Sequence, residues 1–319
     1  MNGRKRASKP VSADRPRGES EGRFETAEPI PDTAESQSHL APGLYVTATP
    51  IGHARDITLR ALDVLRGCDV IAAEDTRVTA KLLAIYGIAK PLLAYNDHNA
   101  PRERPRLLAR LRGGERIALV SDAGTPLVSD PGYKLVREAL EDGLRVEAVP
   151  GASALLTALV LSALPTDRFL FGGFLPAKAG ERRSVLDELK AVPASLVFFE
   201  SPRRLAECLA DMVQVLGARA CAVGRELTKF HEEVRRGDLA SLADAYAQEP
   251  APKGEVTIVI APPKNHAPDV ERLDALLAKA LAFMPVRAAA DLIAEALGTA
   301  RRATYARALA LRGDAGNDA

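Results

Sequence analysis

The sequence predicts an α/β protein with two α/β domains, a cleft between them and a small helical appendix at the C-terminal end. Three observations carry this. From Gly43 onward, short apolar runs alternate with amphipathic helical patterns, as expected of strands joined by covering helices. The series breaks at Pro150-Gly151-Ala152-Ser153-Ala154, passes through an apolar helix to Leu161, and starts again. After Pro262-Pro263 the strand-like runs stop and only helical patterns continue.

Residues 1–41 lack periodicity and are rich in Pro, Ser, Arg and Glu. They read as a disordered tail, basic at first (Arg4, Lys5, Arg6, Lys9) and then acidic (Glu19, Glu21, Glu25, Glu28). No apolar core follows the basic stretch, so a secretory signal is not expected. A solvated tail is the simpler reading, with RNA contact by the basic cluster as its alternative. The first domain, 42–154, has expected strands at 44–47, 70–73, 92–94, 117–120 and 146–149. Helical patterns at 58–66, 79–86, 102–112 and 133–141 separate them, which argues a mostly parallel sheet covered on both faces. The second domain, 155–263, has expected strands at 169–172, 196–199, 220–223 and 256–260, with helices at 181–190, 203–216 and 239–247. The appendix, 268–312, has helices expected at 269–283, 285–297 and 300–311. The turn Leu297-Gly298-Thr299 resembles that of a helix-turn-helix, and Arg301, Arg302 and Arg307 make the last helix basic.

Composition excludes several classes. Lys and Arg number 43 against 42 Asp and Glu, a net charge of +1, so any nucleic-acid surface must be local. A hydrophobic fraction of 47% with 27% charged residues fits a soluble enzyme, and no apolar run is long enough to cross a bilayer. Cys68, Cys208 and Cys221 are scattered without a C-x-x-C pair, so no metal site is expected and a reducing cytoplasm is the simplest setting. No Gly-x-Gly-x-x-Gly follows a strand and no Gly-x-x-x-x-Gly-Lys-Ser/Thr occurs, which argues against dinucleotide and triphosphate folds.

The most informative loop is Ser121-Asp122-Ala123-Gly124-Thr125-Pro126-Leu127-Val128-Ser129-Asp130-Pro131-Gly132, between a buried strand and a helix. Such a loop lies at the carboxyl edge of a sheet, where open α/β folds hold ligands. Glu74-Asp75-Thr76-Arg77 and Asp97-His98-Asn99 follow other strands and bring acid and imidazole toward the same edge. Helix capping and surface hydrogen bonding are their plain alternatives. Lys178, Arg203, Arg204, Arg225 and Lys229 follow strands of the second series, suited either to phosphates or to internal ion pairs.

The run Tyr45-Val46-Thr47-Ala48-Thr49-Pro50-Ile51-Gly52 resembles the first strand and loop of the tetrapyrrole-methylase superfamily of S-adenosylmethionine-dependent methyltransferases. Ala73-Glu74-Asp75-Thr76-Arg77, Asp97-His98-Asn99, the 121–132 loop, Phe174-Leu175-Pro176-Ala177-Lys178, Phe199-Glu200-Ser201-Pro202-Arg203-Arg204, Arg225-Glu226-Leu227-Thr228-Lys229 and Lys253-Gly254-Glu255 are similar to one branch, the ribosomal RNA small-subunit methyltransferases of type I. The resemblance implies 2′-O-methylation of a cytidine in the decoding region of 16S ribosomal RNA, with S-adenosylmethionine as cofactor. It also implies a cytoplasmic homodimer with no membrane partner. It places the cofactor against Pro50, Ile51, Asp122, Ala123, Gly124, Thr125, Pro126, Leu127, Pro150, Gly151, Ser153, Ala154, Lys253, Gly254 and Glu255. Glu74, Asp75 and His98 are the candidates for catalysis, in no fixed order. Arg77, Lys178, Arg203, Arg204, Arg225, Lys229, Arg301, Arg302 and Arg307 are the candidates for RNA. Two departures stand out: Thr49-Pro50-Ile51-Gly52 replaces the Gly-x-Gly-x-Gly loop of the small-molecule methylases, which favours the RNA branch, and His53 stands where that branch has Asn. A methylase of a tetrapyrrole or other small molecule and a non-catalytic RNA-binding factor are the competing readings.

Overall fold

The computed structural model describes residues 40–263 and 270–314. The basic-then-acidic segment that sequence reads as a tail lies outside the described residues, apart from Leu40 and Ala41. The first sheet is built from β1 (Gly43–Thr47), β2 (Val70–Ala73), β3 (Leu92–Ala94), β4 (Arg116–Val120) and β5 (Val146–Val149). Their order is β3-β2-β4-β1-β5 and every pairing is parallel. Parallel strands need crossovers, supplied by α1 (Leu59–Gly67), α2 (Thr76–Ile85), α3 (Ala100–Arg112) and α4 (Tyr133–Glu141). Alternate strand residues feed two cores. Tyr45, Ile71 and Ala118 pack with Leu62 and Leu65 of α1, and Leu44, Ile117 and Leu119 pack with Leu107 of α3 and Leu135 of α4. With both faces buried, the inner strands β1, β2 and β4 are nearly continuous apolar runs, which makes them readable from sequence.

The second sheet is β6 (Phe169–Phe174), β7 (Ser195–Glu200), β10 (Val256–Ile260), β8 (Ala220–Arg225) and β9 (Glu233–Asp238), in that order. Only β6 and β7 run parallel; the other three pairings are antiparallel. Strand β9 is not expected from sequence, because Glu-Val-Arg-Arg-Gly-Asp offers no apolar run. It is an edge strand, and charge at an edge is how sheets avoid pairing with a neighbour. One face packs on α6 (Ala179–Leu189), α7 (Leu205–Leu216) and α8 (Leu239–Gln248). Against the other lie Ala158 and Leu159 of α5 (Ala154–Ser162), together with Ile51, Ala123 and Ala152 from loops of the first sheet. That shared core holds the edge of one sheet against the face of the other.

The C-terminal helices are α9 (Val270–Leu281), α10 (Val286–Leu297) and α11 (Arg301–Asp314). They enclose their own core of Leu273, Leu277, Val286, Ala290, Ile293 and Ala308. Gly298, left-handed at φ 62°, ends α10, as a helix stop with its glycine just past the last turn requires.

Candidate active site

Three loops leave the carboxyl edge of the first sheet and are zipped together by their backbones. Thr49 and Gly124 exchange two hydrogen bonds, at 2.9 and 3.0 Å, while the Thr125 hydroxyl donates to the Ala152 carbonyl at 3.1 Å. Gly124 is left-handed (φ 82°), and a Cβ there would crowd Ile51. The loop after β2 joins this set by a reciprocal bond: the Asp75 N–H donates to Asp122 Oδ1 at 2.9 Å and the Asp122 N–H to Glu74 Oε2 at 3.3 Å.

The facing wall comes from the second sheet. Register slips between Phe171 and Phe174, at Gly172-Gly173, where a side chain on Gly172 would collide with the Phe198 ring. The slip pairs Phe174 with Phe199, their ring centroids 5.7 Å apart. The turn after Phe174 is gripped by two arginines. Arg204 donates to the Leu175 and Pro176 carbonyls at 2.7 and 3.0 Å, and Arg182 donates to the Ala177 carbonyl at 3.0 Å while bonded to Asp211. Further along, the Lys229 ammonium bridges Glu226 and Glu255 at 2.8 Å each. Gly254 (φ 96°) must be glycine, since a Cβ would fall on the Glu226 carboxyl.

Between these walls lies a cavity of about 500 Å³. Among the described residues five carboxylates line it (Glu74, Asp122, Asp130, Glu200 and Glu255), with apolar surface from Ile51, Ala123, Phe174 and Phe199, and no Lys, Arg or His. The acids differ in state. Burial pushes the Asp130 carboxyl up to about 6, with Glu74, Asp122 and Asp97 adding to the rise and a Ser121 hydrogen bond opposing it. Burial likewise raises Glu74 and Asp122 above the ordinary carboxylate range. Asp75, in contrast, is held down to about 2 by the Arg77 guanidinium, at 2.6 Å, and by capping α2.

The structure gathers many of the expected residues. Of those assigned to the cofactor, Ile51, Asp122, Ala123, Gly124, Thr125, Ser153, Ala154, Gly254 and Glu255 line the cavity. Pro50, Pro126, Leu127, Pro150, Gly151 and Lys253 do not. Leu127 packs into the first sheet's core, Gly151 seats against Ala48, and the Lys253 carbonyl accepts from Arg225. Of the catalytic candidates only Glu74 reaches the cavity. Asp75 is spent on Arg77, and His98 lies exposed in the turn before α3.

Several RNA candidates are held in ion pairs within the fold. Arg204 pairs with buried Glu200 at 3.2 Å, Arg225 with Glu233, and Arg307 with Asp274 at 2.5 Å across the helical bundle. Lys178 pairs with Glu181 on the surface, and Arg301 stands 3.8 Å from Asp291. Arg203 and Arg302 make no ion pair among the described residues and face solvent. His53, which stands where that branch has Asn, accepts the Arg55 N–H at its Nδ1 at 3.2 Å. Lining residues that sequence did not assign are Val128, Ser129, Asp130, Phe174, Phe199 and Glu200, with Ser201, Pro202, Val256 and Thr257 beside them. Asp130 had a legible signal, since it sits in the same rigid loop as Gly124.

Solved structures share this architecture. Diphthine synthase superposes with a TM-score of 0.54 at 18% identity, covering 68% of this chain and 89% of that one. A conserved hypothetical protein from Aeropyrum pernix K1 gives 0.56 at 19% identity, covering 84% and 96%. Residues 43–243 match the Tetrapyrrole (Corrin/Porphyrin) Methylases, and residues 267–312 match the RsmI C-terminal HTH domain. Fold and cavity together define a methylase of the tetrapyrrole type. Its relatives include Ribosomal RNA small subunit methyltransferase I of Mesorhizobium japonicum, 52% identical over 278 residues, covering 87% of this chain and 95% of the relative. The Erythrobacter litoralis protein of the same name is 49% identical, covering 87% and 98%. The chain belongs to the ribosomal RNA small subunit methyltransferase I family of the tetrapyrrole methylases.

The methyl donor of that family is S-adenosylmethionine. The cavity fits such a group, because a sulfonium is a fixed cation and the first-sheet wall offers Glu74, Asp122 and Asp130, which make no ion pair among the described residues. Among the described residues no group of His, Cys, Asp and Glu could hold a metal ion, and no helix is long and apolar enough to cross a membrane.

Proposed function

We propose that this chain methylates the 2′-oxygen of a cytidine ribose in the decoding region of 16S ribosomal RNA, within the small ribosomal subunit. The observation that carries the reading is the acidic, partly apolar cavity where the carboxyl edge of a parallel sheet meets Phe174 and Phe199. The names of the relatives, at 52% and 49% identity over nearly their full length, support the choice of small-subunit RNA.

Bound there, S-adenosylmethionine supplies an electrophilic methyl on a positively charged sulfur. Ile51, Ala123, Gly124, Thr125, Ser153, Ala154 and Gly254 are the residues placed to hold it, with Asp122 and Glu255 complementing its charge. Pro50, Pro126, Pro150 and Gly151 keep those loops in shape from behind. The rigid loops aim the sugar hydroxyl along the displacement axis, and such positioning alone lowers a barrier by several kcal/mol. The acidic wall also repels phosphate, so the ribose enters while the RNA backbone stays at the rim. Arg203 and Arg302, exposed and without an ion pair among the described residues, are the favoured phosphate contacts, with Lys178 and Arg77 secondary because each already has an acidic partner. We further expect a cytoplasmic homodimer; exposed Leu156 and Val160 on α5 present an apolar stripe.

Labelled donor incubated with small subunits, followed by mapping of the modified nucleotide, tests the reading. A 2′-O-methyl cytidine dependent on the protein is expected. Donor binding with no transfer to particles or to naked RNA would refute it. Light scattering checks the dimer, and RNA affinity should fall steeply with salt.

A further inference from the structure

We infer that Asp130 takes the proton from the attacking sugar hydroxyl; the inference rests on the methyl-transfer reading above. The argument begins with placement. Asp130 lines the cavity from the loop after β4, and that loop is held in an unusual shape. Leu127 (φ 72°) and Ser129 (φ 69°) are left-handed without being glycine, and Gly132 (φ 136°) has no room for a side chain beside Leu119 and Leu127. Ser129 Oγ lies 3.4 Å from where a Cβ on Gly173 would stand, which presses this loop against the strand end that carries Phe174. Backbone strain of this kind persists only where the surroundings over-determine it.

The second part is what the neighbouring groups already do. Glu200 pairs with Arg204 and accepts the Ser201 N–H at 2.7 Å. Glu255 holds Lys229, and Glu74 accepts the Asp122 N–H. Asp122 in turn accepts the Asp75 N–H. Asp130 makes no ion pair among the described residues, and its hydrogen-bond neighbour is the Ser121 hydroxyl. The charged groups that raise it most are acidic: Glu74 after β2, Asp122 after β4 and Asp97 after β3, while Glu200 and Glu255 line the same cavity, each with a cationic partner. Its carboxyl, pushed up to about 6, is ionised at neutral pH yet more basic than an ordinary carboxylate, which is what a general base near neutrality requires.

The step balances. The 2′-oxygen uses a lone pair to form the new O–C bond, the C–S electron pair stays on sulfur, and the O–H proton moves to an Asp130 carboxylate oxygen. An anion and a cation become a neutral acid and a neutral thioether, and the proton then leaves to water. Glu74, Asp97 and Asp122 act as positioning charges that keep Asp130 basic.

The test compares wild type, Asp130→Asn and Glu74→Gln. Asp130→Asn should lower kcat about 100-fold or more with the donor Kd, read by calorimetry, changed less than threefold. Wild-type kcat should fall below about pH 6, and Glu74→Gln should move that acid limb to lower pH by removing a like charge. A readout free of turnover is carbon-13 NMR of carboxyl-labelled aspartate without donor. One carboxyl should titrate near 6 in wild type, be missing in Asp130→Asn and titrate lower in Glu74→Gln. The Glu74→Gln shift decides the matter even where Asp130→Asn folds poorly. Active wild type with kcat and acid limb unchanged in Asp130→Asn, or no carboxyl titrating near 6, overturns the inference alone. A wild type that transfers no methyl to RNA overturns the reading beneath it as well.

Discussion

The two rims of the cleft use the same residue types for opposite ends. On the second-sheet rim the acids at the cleft are tied to bases: Glu200 to Arg204, Glu226 and Glu255 to Lys229, Glu233 to Arg225 and Arg235. On the first-sheet rim Glu74, Asp122 and Asp130 line the cavity with no salt bridge among the described residues, and burial raises all three. Paired charges in partly buried settings act as cross-links between segments, whereas unpaired ones store chemical potential for proton or cation. One rim is architecture; the other is chemistry.

That contrast can be broken. The largest effect is expected at the paired extreme. Arg182 is 2% exposed and bonds Asp211 at 2.6 Å, so Arg182→Leu should cost about 3 kcal/mol in urea unfolding while donor affinity stays unchanged in the folded fraction. A loss of affinity with intact stability would erase the distinction between rims.

The next largest effect has the opposite sign. An acid whose folded pKa is raised from 3.8 to about 6 opposes folding once ionised. The penalty is absent below about pH 4, grows as pH rises through the window, and is complete above about 6. Asp130→Asn should therefore stabilise the protein at pH 7 by about 2 kcal/mol, the full shift of about 3 kcal/mol reduced by solvent screening of a half-buried group, and leave it unchanged at pH 3.5, even as activity falls. Equal unfolding midpoints at pH 7 would show that the residue carries no such strain.

Lys229→Met sharpens the comparison from the other side. It leaves Glu226 and Glu255 without their shared cation, so a loss of about 1 kcal/mol in stability should accompany a several-fold weaker donor Kd by calorimetry. The smallest effect belongs to a pair remote from both rims. Asp69 is held down to about 2 by Arg116, at 2.5 Å and with both side chains about a third exposed. Its contribution is present above pH 4 and lost as pH falls toward 2. Asp69→Asn should cost no more than about 1 kcal/mol at pH 7, nothing near pH 2, and leave methyl transfer untouched.

How much was legible in the chain varies by region for physical reasons. The strands of the first sheet and the stop at Gly298 were readable because burial on both faces demands continuous apolar runs and a left-handed stop favours glycine. The loop around Gly124 was readable because Gly and Pro cluster only where backbone geometry is constrained. Strand β9 was not, since its residues gain their structure from pairing with β8 rather than from their own pattern. Nor was the duty of Arg204, which depends on carbonyls of Leu175 and Pro176 that lie 29 and 28 residues away.

Local pattern thus determined the secondary structure, the break between the two α/β series and the loops at the sheet edge, because each depends on forces acting within a few residues. Tertiary structure alone decided the strand order, the antiparallel second sheet and which charges are neutralised. Pairing and burial of an ion are set by neighbours distant in sequence, as Asp130 beside Glu74 and Glu200 beside Arg204 on opposite walls make plain.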